Sequence, residues 1–133
     1  MKPAQATHIL VVEDDRDVRE TVVEVLEDEG YSVAAAADGS LALAYLTSEQ
    51  RRPDLILLDL MMPTMNGYQF REHQLKDPDL AAIPIAVFTA DGHANDKVGP
   101  LNAAAFVRKP LKIDALLEVV SRVLEARSTP GAP

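Results

Sequence analysis

The chain has 133 residues, which is enough for one domain with its own buried core. It contains no cysteine, so disulfide bonds and thiolate metal sites are excluded. Its 13 Lys and Arg residues against 21 Asp and Glu residues give a net charge of −8, which argues against binding nucleic acid through a general basic face.

The first predicted element is a buried strand over 8–13, which is an apolar run between a histidine and an acid. The strand leads into three consecutive acids, Glu13, Asp14 and Asp15. Apolar residues at helical spacing then predict a helix over 16–29, which Gly30 closes. Because Asp15 directly precedes that helix, we interpret it as the N-cap in preference to a metal ligand.

A weaker, alanine-rich strand is predicted over 31–36. The turn at 38–40 leads into a second helix, which we expect to end near 51–53. Its predicted apolar face holds Leu41, Ala42, Tyr45 and Leu46.

The central strand is predicted over 55–58, an uninterrupted apolar run typical of a strand buried on both faces of a parallel sheet. Asp59 ends this strand. A carboxylate there is unfavourable unless it is paired, hydrogen-bonded or bound to a metal. Ligands of open parallel sheets bind beyond the carboxyl ends of the strands, where Asp59 would lie. The alternative is that Asp59 only caps the following loop.

Asn66 is the predicted N-cap of a helix that runs to about residue 76. A fourth strand is predicted over 83–89 and a fifth over 104–108. Between them, glycines and a proline leave room for only a short helix over 94–98.

The last helix is predicted over 113–127, with an apolar face of Leu116, Leu117, Val120, Val123 and Leu124. Strands and helices alternate, which predicts an α/β domain over 8–127 with a parallel sheet, helices on both faces and right-handed crossovers. Residues 1–7 form a lead-in, and 128–133 are predicted to be disordered. With no long apolar stretch and no signal-peptide pattern, we expect a cytoplasmic protein.

If the first and third strands are neighbours, Glu13, Asp14 and Asp59 converge at one edge of the sheet. Such carboxylates repel by about 4 kcal/mol per pair at about 4 Å and an effective dielectric near 20. Mg²⁺ is the hard cation that suits such oxygen ligands. Lys109 and Thr89 follow the fifth and fourth strands, so the edge is typical of a phosphoryl-binding site.

These residues resemble the pattern of a response-regulator receiver domain, the bacterial phosphoacceptor of two-component signalling, over about 8–127. Its marks in this chain are Glu13-Asp14, Asp59 followed by Leu-Met-Met-Pro, Gly67, Thr89-Ala90 and Lys109-Pro110. Each mark is common alone. Their order, at the ends of the expected strands, makes the pattern specific.

The resemblance implies a doubly wound, flavodoxin-like sheet of five parallel strands in the order 2-1-3-4-5. It implies that Asp59 accepts a phosphoryl group from a histidine kinase or a histidine phosphotransfer protein. Lys109 would pair with Asp59 and then with the phosphoryl oxygens, and Thr89 would hydrogen-bond the phosphoryl group. Phe106 matches the aromatic residue that moves inward when the domain switches.

The resemblance also implies a Mg²⁺ site. Asp14 and Asp59 would bind the ion directly, Glu13 through water, and Met61 through its backbone carbonyl. Met61 and Asp91 would flank the path of a hydrolytic water, so we expect them to influence the lifetime of the phosphoryl group.

Simpler interpretations stand beside these roles. Thr89 alone could be an ordinary strand end, and Phe106 alone an ordinary core residue. His8, His73 and His93 lack metal-ligand spacing, so we interpret them as surface residues.

The leading functional prediction is a phosphorylation switch without an output domain, either a stand-alone regulator or a receiver from a hybrid histidine kinase. It would catalyse only its own phosphorylation and dephosphorylation and signal to a protein partner. A phosphorylation-independent interaction module is the alternative. A phosphohydrolase of the haloacid-dehalogenase type would need an aspartate where Met61 stands, and nucleotide binding would need a glycine-rich loop after the first strand.

Overall fold

The computed structural model describes residues 7–48, 52–60, 62, 65–89, 103–110 and 112–128. The five strands are β1 (His8–Val12), β2 (Ser32–Ala36), β3 (Leu55–Asp59), β4 (Ile85–Thr89) and β5 (Ala105–Arg108). The helices are α1 (Arg16–Asp28), α2 (Gly39–Thr47), α3 (Gly67–Leu75), α4 (Pro78–Ala81) and α5 (Ile113–Ser128). The predicted lead-in up to residue 6, the segment 90–102 with its predicted short helix, and residues 129–133 lie outside the described residues.

All strands are parallel, and their order in the sheet is β2-β1-β3-β4-β5. The predicted α/β fold and strand order are therefore confirmed. Val12 of β1 pairs with Leu58 of β3, so the residues that follow them, Glu13 and Asp59, lie level with each other. They lie at the carboxyl edge of the sheet, which is the side where the C-terminal ends of all the parallel strands meet. This register is what brings the predicted acids together.

The core has one half on each face of the sheet. Leu55 and Leu57 of β3 pack with residues of α1 and α5, including Val22 and Val120. The alternate residues of β3 pack on the opposite face with residues of α2, α3 and α4. All four apolar residues of β3 are fully buried, as the apolar run predicted for a central parallel strand.

Side-chain caps fix where the helices begin. The carboxylate of Asp15 accepts a hydrogen bond from the Val18 N–H at 3.1 Å, so the predicted N-cap is confirmed. Asn66 and Gln69 form a reciprocal capping box at the start of α3, which confirms the second predicted cap. These caps fix where the loops after β1 and β3 join their helices.

The predicted end of α2 near 51–53 was wrong. The helix ends at Thr47, and the Ser48 hydroxyl donates to the Tyr45 carbonyl at 2.6 Å, which competes with continuation of the helix. Leu41 was assigned to the apolar face but is 53% exposed, because the buried stripe of this short helix runs through Ala42 and Leu46 instead.

The region before β4 also differs from the prediction. The strand starts at Ile85, because Pro84 has no N–H to donate and the Ile83 N–H bonds to Leu80 instead. The single turn α4 was not predicted. Pro78 at its start and the carboxylate of Asp77, which accepts from the Asp79 N–H, are the sequence signals that could have found it.

His8 was predicted to be a surface residue, and that prediction was wrong. The side chain is buried at 6% exposure, with Nδ1 2.9 Å from the Ser32 hydroxyl and Nε2 2.6 Å from the Tyr45 hydroxyl. His8 is buried although it is polar, because β1 lies between β2 and β3 and the side chains of Ser32 and Tyr45 contact its ring. His73 is exposed, as predicted, and His93 lies outside the described residues.

The last helix, α5, runs to Ser128, which is one residue further than predicted, and Val119 joins its buried face. Its length makes it the longest of the described helices. Even so, none of the described helices combines the length and the apolar character needed to span a bilayer.

Candidate functional site

Three carboxylates converge at the carboxyl edge of the sheet. Glu13, Asp14 and Asp59 each place an oxygen so that these atoms all lie within 4.8 Å of one another. Glu13 is fully buried and Asp59 is 2% exposed, whereas Asp14 is exposed to solvent. The level ends of β1 and β3 produce this arrangement, and it is the convergence expected from the sequence.

Lys109, directly after β5, brings a positive charge to the site. Its Nζ lies 2.6 Å from Glu13 Oε1 and 3.4 Å from Asp59 Oδ2. The ammonium also lies 5.3 Å from the centre of the Phe88 ring, where a cation is attracted to the aromatic face. The lysine was expected to pair with Asp59, but its shorter contact is with Glu13.

Burial dominates the electrostatics of Glu13. The pKa of Glu13 is raised from 4.5 to about 7, mainly by desolvation, although hydrogen bonds from Lys109 and the Asp15 N–H act in the opposite direction. The charge of Asp59 contributes to this rise in the pKa of Glu13 and is a smaller cause than burial. The ammonium of Lys109 therefore does not offset the effect of burial on Glu13.

The environment acts differently on Lys109. Burial alone would lower the pKa of Lys109, but its hydrogen bond to Glu13 and the charges of Asp59 and Glu13 outweigh burial. The pKa of Lys109 is consequently raised, and the lysine stays charged beside the acids.

The loop between β1 and α1, which carries the acids, is held at several points. The Glu13 N–H donates to the Ala36 carbonyl of β2 at 3.1 Å, and the Asp15 N–H donates to Glu13 Oε2 at 2.9 Å. Arg19 of α1 reaches back, with Nη1 2.9 Å from the Glu13 carbonyl oxygen and 3.3 Å from that of Asp14. Arg19 was not predicted from the sequence, because no short motif links a helical arginine to carbonyls five and six residues earlier.

Gly67, the first residue of α3, makes close backbone contact with the end of β3. Its N–H donates to the Leu60 carbonyl at 3.0 Å. A Cβ at this position would lie 2.7 Å from the Asp59 carbonyl oxygen and 2.7 Å from Leu60 Cα. Only glycine fits there, which gives a physical reason for this part of the sequence pattern.

The other predicted site residues lie on β4 and β5 and in the loop after β3. Thr89 is the last residue of β4, and its side chain lies outside the described part of the structure, as does Met61. Phe106 lies on β5, three residues before Lys109, and is half-buried against the core cluster on the face of the sheet that α2, α3 and α4 cover. Asp91 also falls outside the described residues.

The donor set suits a hard divalent cation. Three carboxylates offer only oxygen ligands, which are the ligands that Mg²⁺ prefers, and two of them are buried where unneutralised charge is most unfavourable. The raised pKa of Glu13 shows that ionisation is costly at this edge without further positive charge. The residues present therefore fit Mg²⁺.

A cleft opens beside the lysine. It has a volume of about 300 Å³ and is lined by Asp17, Val18, Thr21, Lys109 and Pro110. It lies between α1 and the segment that follows β5, and none of the three clustered acids is among the residues that line it.

Taken together, the strand order 2-1-3-4-5 and the acids and lysine at its carboxyl edge define the class of flavodoxin-like, CheY-type α/β domains. Within that class, the chain belongs to the response regulator receiver domain family, whose model matches residues 9–121. Members of this family generally bind Mg²⁺ through acidic residues and interact with histidine kinases or phosphotransfer proteins.

Relatives of known sequence support this assignment. Response regulator MprA of Mycolicibacterium vanbaalenii is 41% identical over 125 residues, which cover 92% of this chain and 52% of MprA. Response regulator Rre1 of Synechocystis sp. is 34% identical over 124 residues, which cover 91% of this chain and 53% of Rre1. The chain thus spans about half the length of these curated relatives.

Solved structures of proteins with the same fold support the assignment to the receiver domain family. The chemotaxis protein CheY4 of Vibrio cholerae matches with a TM-score of 0.81 and 30% identity, over 89% of this chain and 98% of CheY4. The signal receiver domain of a signal transduction histidine kinase from Syntrophus aciditrophicus matches with a TM-score of 0.83 and 32% identity, over 96% of this chain and 97% of that domain.

Proposed function

We propose that this receiver domain accepts a phosphoryl group on Asp59, from a histidine kinase or a histidine phosphotransfer protein, in a Mg²⁺-dependent reaction. One observation carries the proposal: a buried carboxylate at the end of β3 lies among two further carboxylates and within 3.4 Å of a lysine ammonium. Acids, a cation site and a lysine around one carboxylate are what phosphoryl transfer to an aspartate requires.

Asp14 and Asp59 would hold the Mg²⁺ directly, Glu13 would hold it through water, and the Met61 carbonyl would complete the protein's share. The bound ion would neutralise charge on the transferring phosphoryl oxygens. Lys109 supplies a further positive charge and stays protonated because its pKa is raised. Most of the catalysis in phosphoryl transfer comes from such charge neutralisation and positioning.

In the transfer step, an Asp59 carboxylate oxygen forms a P–O bond while the P–N bond of the donor phosphohistidine breaks. The electron pair of the broken bond returns to the imidazole nitrogen, and the product on this chain is an acyl phosphate. The domain catalyses only its own phosphorylation and dephosphorylation, so it is not a turnover enzyme.

The signal leaves through conformational switching. A phosphoryl group adds about −1.5 to −2 charges at this edge, which Lys109 and the Thr89 hydroxyl would bind. Phe106, half-buried on β5, would then move further into the core, and a protein partner in the cytoplasm would bind the altered surface. The single-domain arrangement stays a prediction, since MprA is about twice as long as the match and CheY4 matches over nearly its whole length.

The test is phosphate incorporation measured by intact mass, with Mg²⁺ and acetyl phosphate as the donor. We expect one phosphate on the parent chain, none when Mg²⁺ is chelated, and none on Asp59→Asn. Asp54→Asn is the matched control, because Asp54 directly precedes β3 at the opposite edge of the sheet and should leave incorporation intact.

No incorporation on the parent, even from a purified histidine kinase, would reject the phosphoacceptor function. That outcome would favour the phosphorylation-independent interaction module instead. Incorporation on Asp59→Asn at the parent's rate would show that another residue is the acceptor.

A further inference from the structure

We infer that Arg19 is a positioning residue for the Mg²⁺ site, because its guanidinium fixes the backbone on both sides of Asp14. The inference rests on the proposed function, since it concerns the ion that the acids of the carboxyl edge would hold. It assigns a role to a side chain that does not itself touch the ion.

One nitrogen of Arg19 contacts two successive carbonyls. Arg19 Nη1 donates to the Glu13 carbonyl oxygen at 2.9 Å and to the Asp14 carbonyl oxygen at 3.3 Å. These two carbonyls belong to the peptide units before and after the Asp14 Cα. A single guanidinium therefore restrains both backbone torsions of Asp14.

Asp14 depends on this restraint more than its neighbours do. Glu13 is fully buried and is held by three hydrogen bonds. Its N–H donates to a carbonyl of β2, one side-chain oxygen accepts from Lys109, and the other accepts from the Asp15 N–H. Asp15 is fixed as the cap of α1. Asp14 is exposed, so its backbone, more than side-chain packing, sets the position of its Cα and the direction of its Cα–Cβ bond.

Arg19 is itself well placed to hold the loop. It lies in the first turns of α1, and its own N–H donates to the Asp15 carbonyl at 2.9 Å within the helix. The side chain is half-buried, so its position is restricted by packing as well as by the two carbonyls. The rigid helix thus positions the loop, and outer partners of metal ligands commonly change metal affinity by about 10–100-fold.

Charge and positioning predict opposite effects. A guanidinium close to the acids repels an incoming cation, so if only its charge matters, removing it should tighten Mg²⁺ binding. If Arg19 positions Asp14, removing it should weaken binding despite the lost repulsion. The two roles can therefore be separated by the sign of one measurement.

The experiment is the Mg²⁺ dissociation constant of the unphosphorylated protein, measured by titration of backbone amide NMR signals. Arg19→Met removes the donors and the charge, and Arg19→Lys keeps the charge but loses the planar guanidinium. Arg16→Met is the matched control: it removes a positive charge from the same helix, but the Arg16 side chain is 78% exposed and pairs with Glu20.

We expect Arg19→Met to weaken Mg²⁺ binding by about tenfold or more, and Arg19→Lys to weaken it by a smaller factor. The Arg16→Met control should stay within about twofold of the parent, because exposed charges are well screened. Unfolding midpoints without metal are measured for every variant. A purely structural role for Arg19 would lower the midpoint and leave the dissociation constant of the folded protein unchanged.

An Arg19→Met dissociation constant equal to or below that of the parent overturns the inference while the proposed function stands. A parent that binds no Mg²⁺ overturns both. Should Arg19→Met fail to fold, Arg19→Lys decides alone: unchanged affinity would exclude positioning by the guanidinium, and weakened affinity would support it.

Discussion

The two ends of the same sheet carry two polar clusters that differ in how their charges and hydrogen bonds are balanced. At the amino edge, the His8 ring bridges the Ser32 and Tyr45 hydroxyls, the His8 N–H donates to the Asp54 carboxylate, and the Asp54 N–H donates to the His8 carbonyl. At the carboxyl edge, three carboxylates lie close together beside the Lys109 ammonium. The first cluster is built mainly of hydrogen bonds, and the second mainly of charges.

The difference shows how a buried polar group can be assigned to structure or to function. The amino-edge cluster pairs donors with acceptors inside the fold, so its removal should affect stability alone. At the carboxyl edge the buried Glu13 resists ionisation, so an external cation would relieve an unfavourable state there. The stability of the amino edge and the reactivity of the carboxyl edge should therefore respond to different substitutions.

The largest effect is expected where the backbone of the carboxyl edge is forced to move. Gly67→Ala should lower the free energy of unfolding by about 3 kcal/mol, because its Cβ would lie 2.7 Å from backbone atoms of Asp59 and Leu60. Phosphate incorporation should slow as well. Urea unfolding and the incorporation assay measure the two effects.

Gly30→Ala is the comparison for that substitution. Gly30 has a φ of 95°, but a Cβ added there would meet no atom of the described residues within 4 Å, so only backbone strain of about 1 kcal/mol is expected. Incorporation should be unchanged. An equal loss in both variants would contradict the close-contact explanation.

The pH dependence of stability should come from the carboxyl edge. Burial raises the pKa of Glu13 from 4.5 in the unfolded chain to about 7 in the fold, so the folded state binds more protons between these pH values. Stability without metal should therefore fall as the pH rises through this window, by on the order of 2 to 3 kcal/mol. Urea unfolding in chelator from about pH 4 to about pH 8 measures it.

Two controls sharpen this prediction. Saturating Mg²⁺ should flatten the profile, because a bound cation favours the ionised carboxylates. Glu13→Gln should flatten it without metal. A fall of the same size in Glu13→Gln would assign the pH dependence to another group.

The amino edge should show the reverse pattern. His8→Ala should lower the free energy of unfolding by about 2 kcal/mol, since two side-chain hydrogen bonds and a buried ring are lost. Phosphate incorporation should stay at the parent's rate. His73→Ala, at an exposed site on α3, should change stability by about 0.5 kcal/mol or less.

The smallest expected effect is a gain. Asp59→Asn should raise stability in metal-free buffer by about 1 kcal/mol, because it removes one charge from the crowded acids. The same variant should accept no phosphate. Thermal unfolding with and without Mg²⁺ checks this, and a loss of stability in chelator would mean that the Lys109 pair outweighs the repulsion.

Much of the fold could be predicted because its signals are local. The apolar run of β3 and the caps Asp15 and Asn66 identified elements from neighbouring residues alone. The early end of α2 depends on a hydrogen bond from Ser48 that competes with helix continuation, and the start of α4 depends on a hydrogen bond to the capping Asp77. Such small differences in free energy are not visible in apolar spacing.

The site was predictable only in part for a similar reason. The acids and Lys109 lie at strand ends, so parallel pairing alone brings them together. The preference of Lys109 for Glu13 and the burial of His8 depend on distances between side chains of elements that are far apart in the sequence. Arg19 was missed because its partners are carbonyl oxygens, which every residue has.

The separation of Glu13 from Lys109 by 96 positions has a consequence for the protein during its synthesis. During synthesis, Glu13, Asp14 and Asp59 leave the ribosome long before β5, which is the outermost strand of the sheet beside β4. A nascent chain therefore carries the carboxylates without the ammonium of Lys109. Only a domain that has completed its sheet brings Asp59 and Lys109 together. Under the proposed function, phosphate incorporation would therefore also report that the sheet is complete.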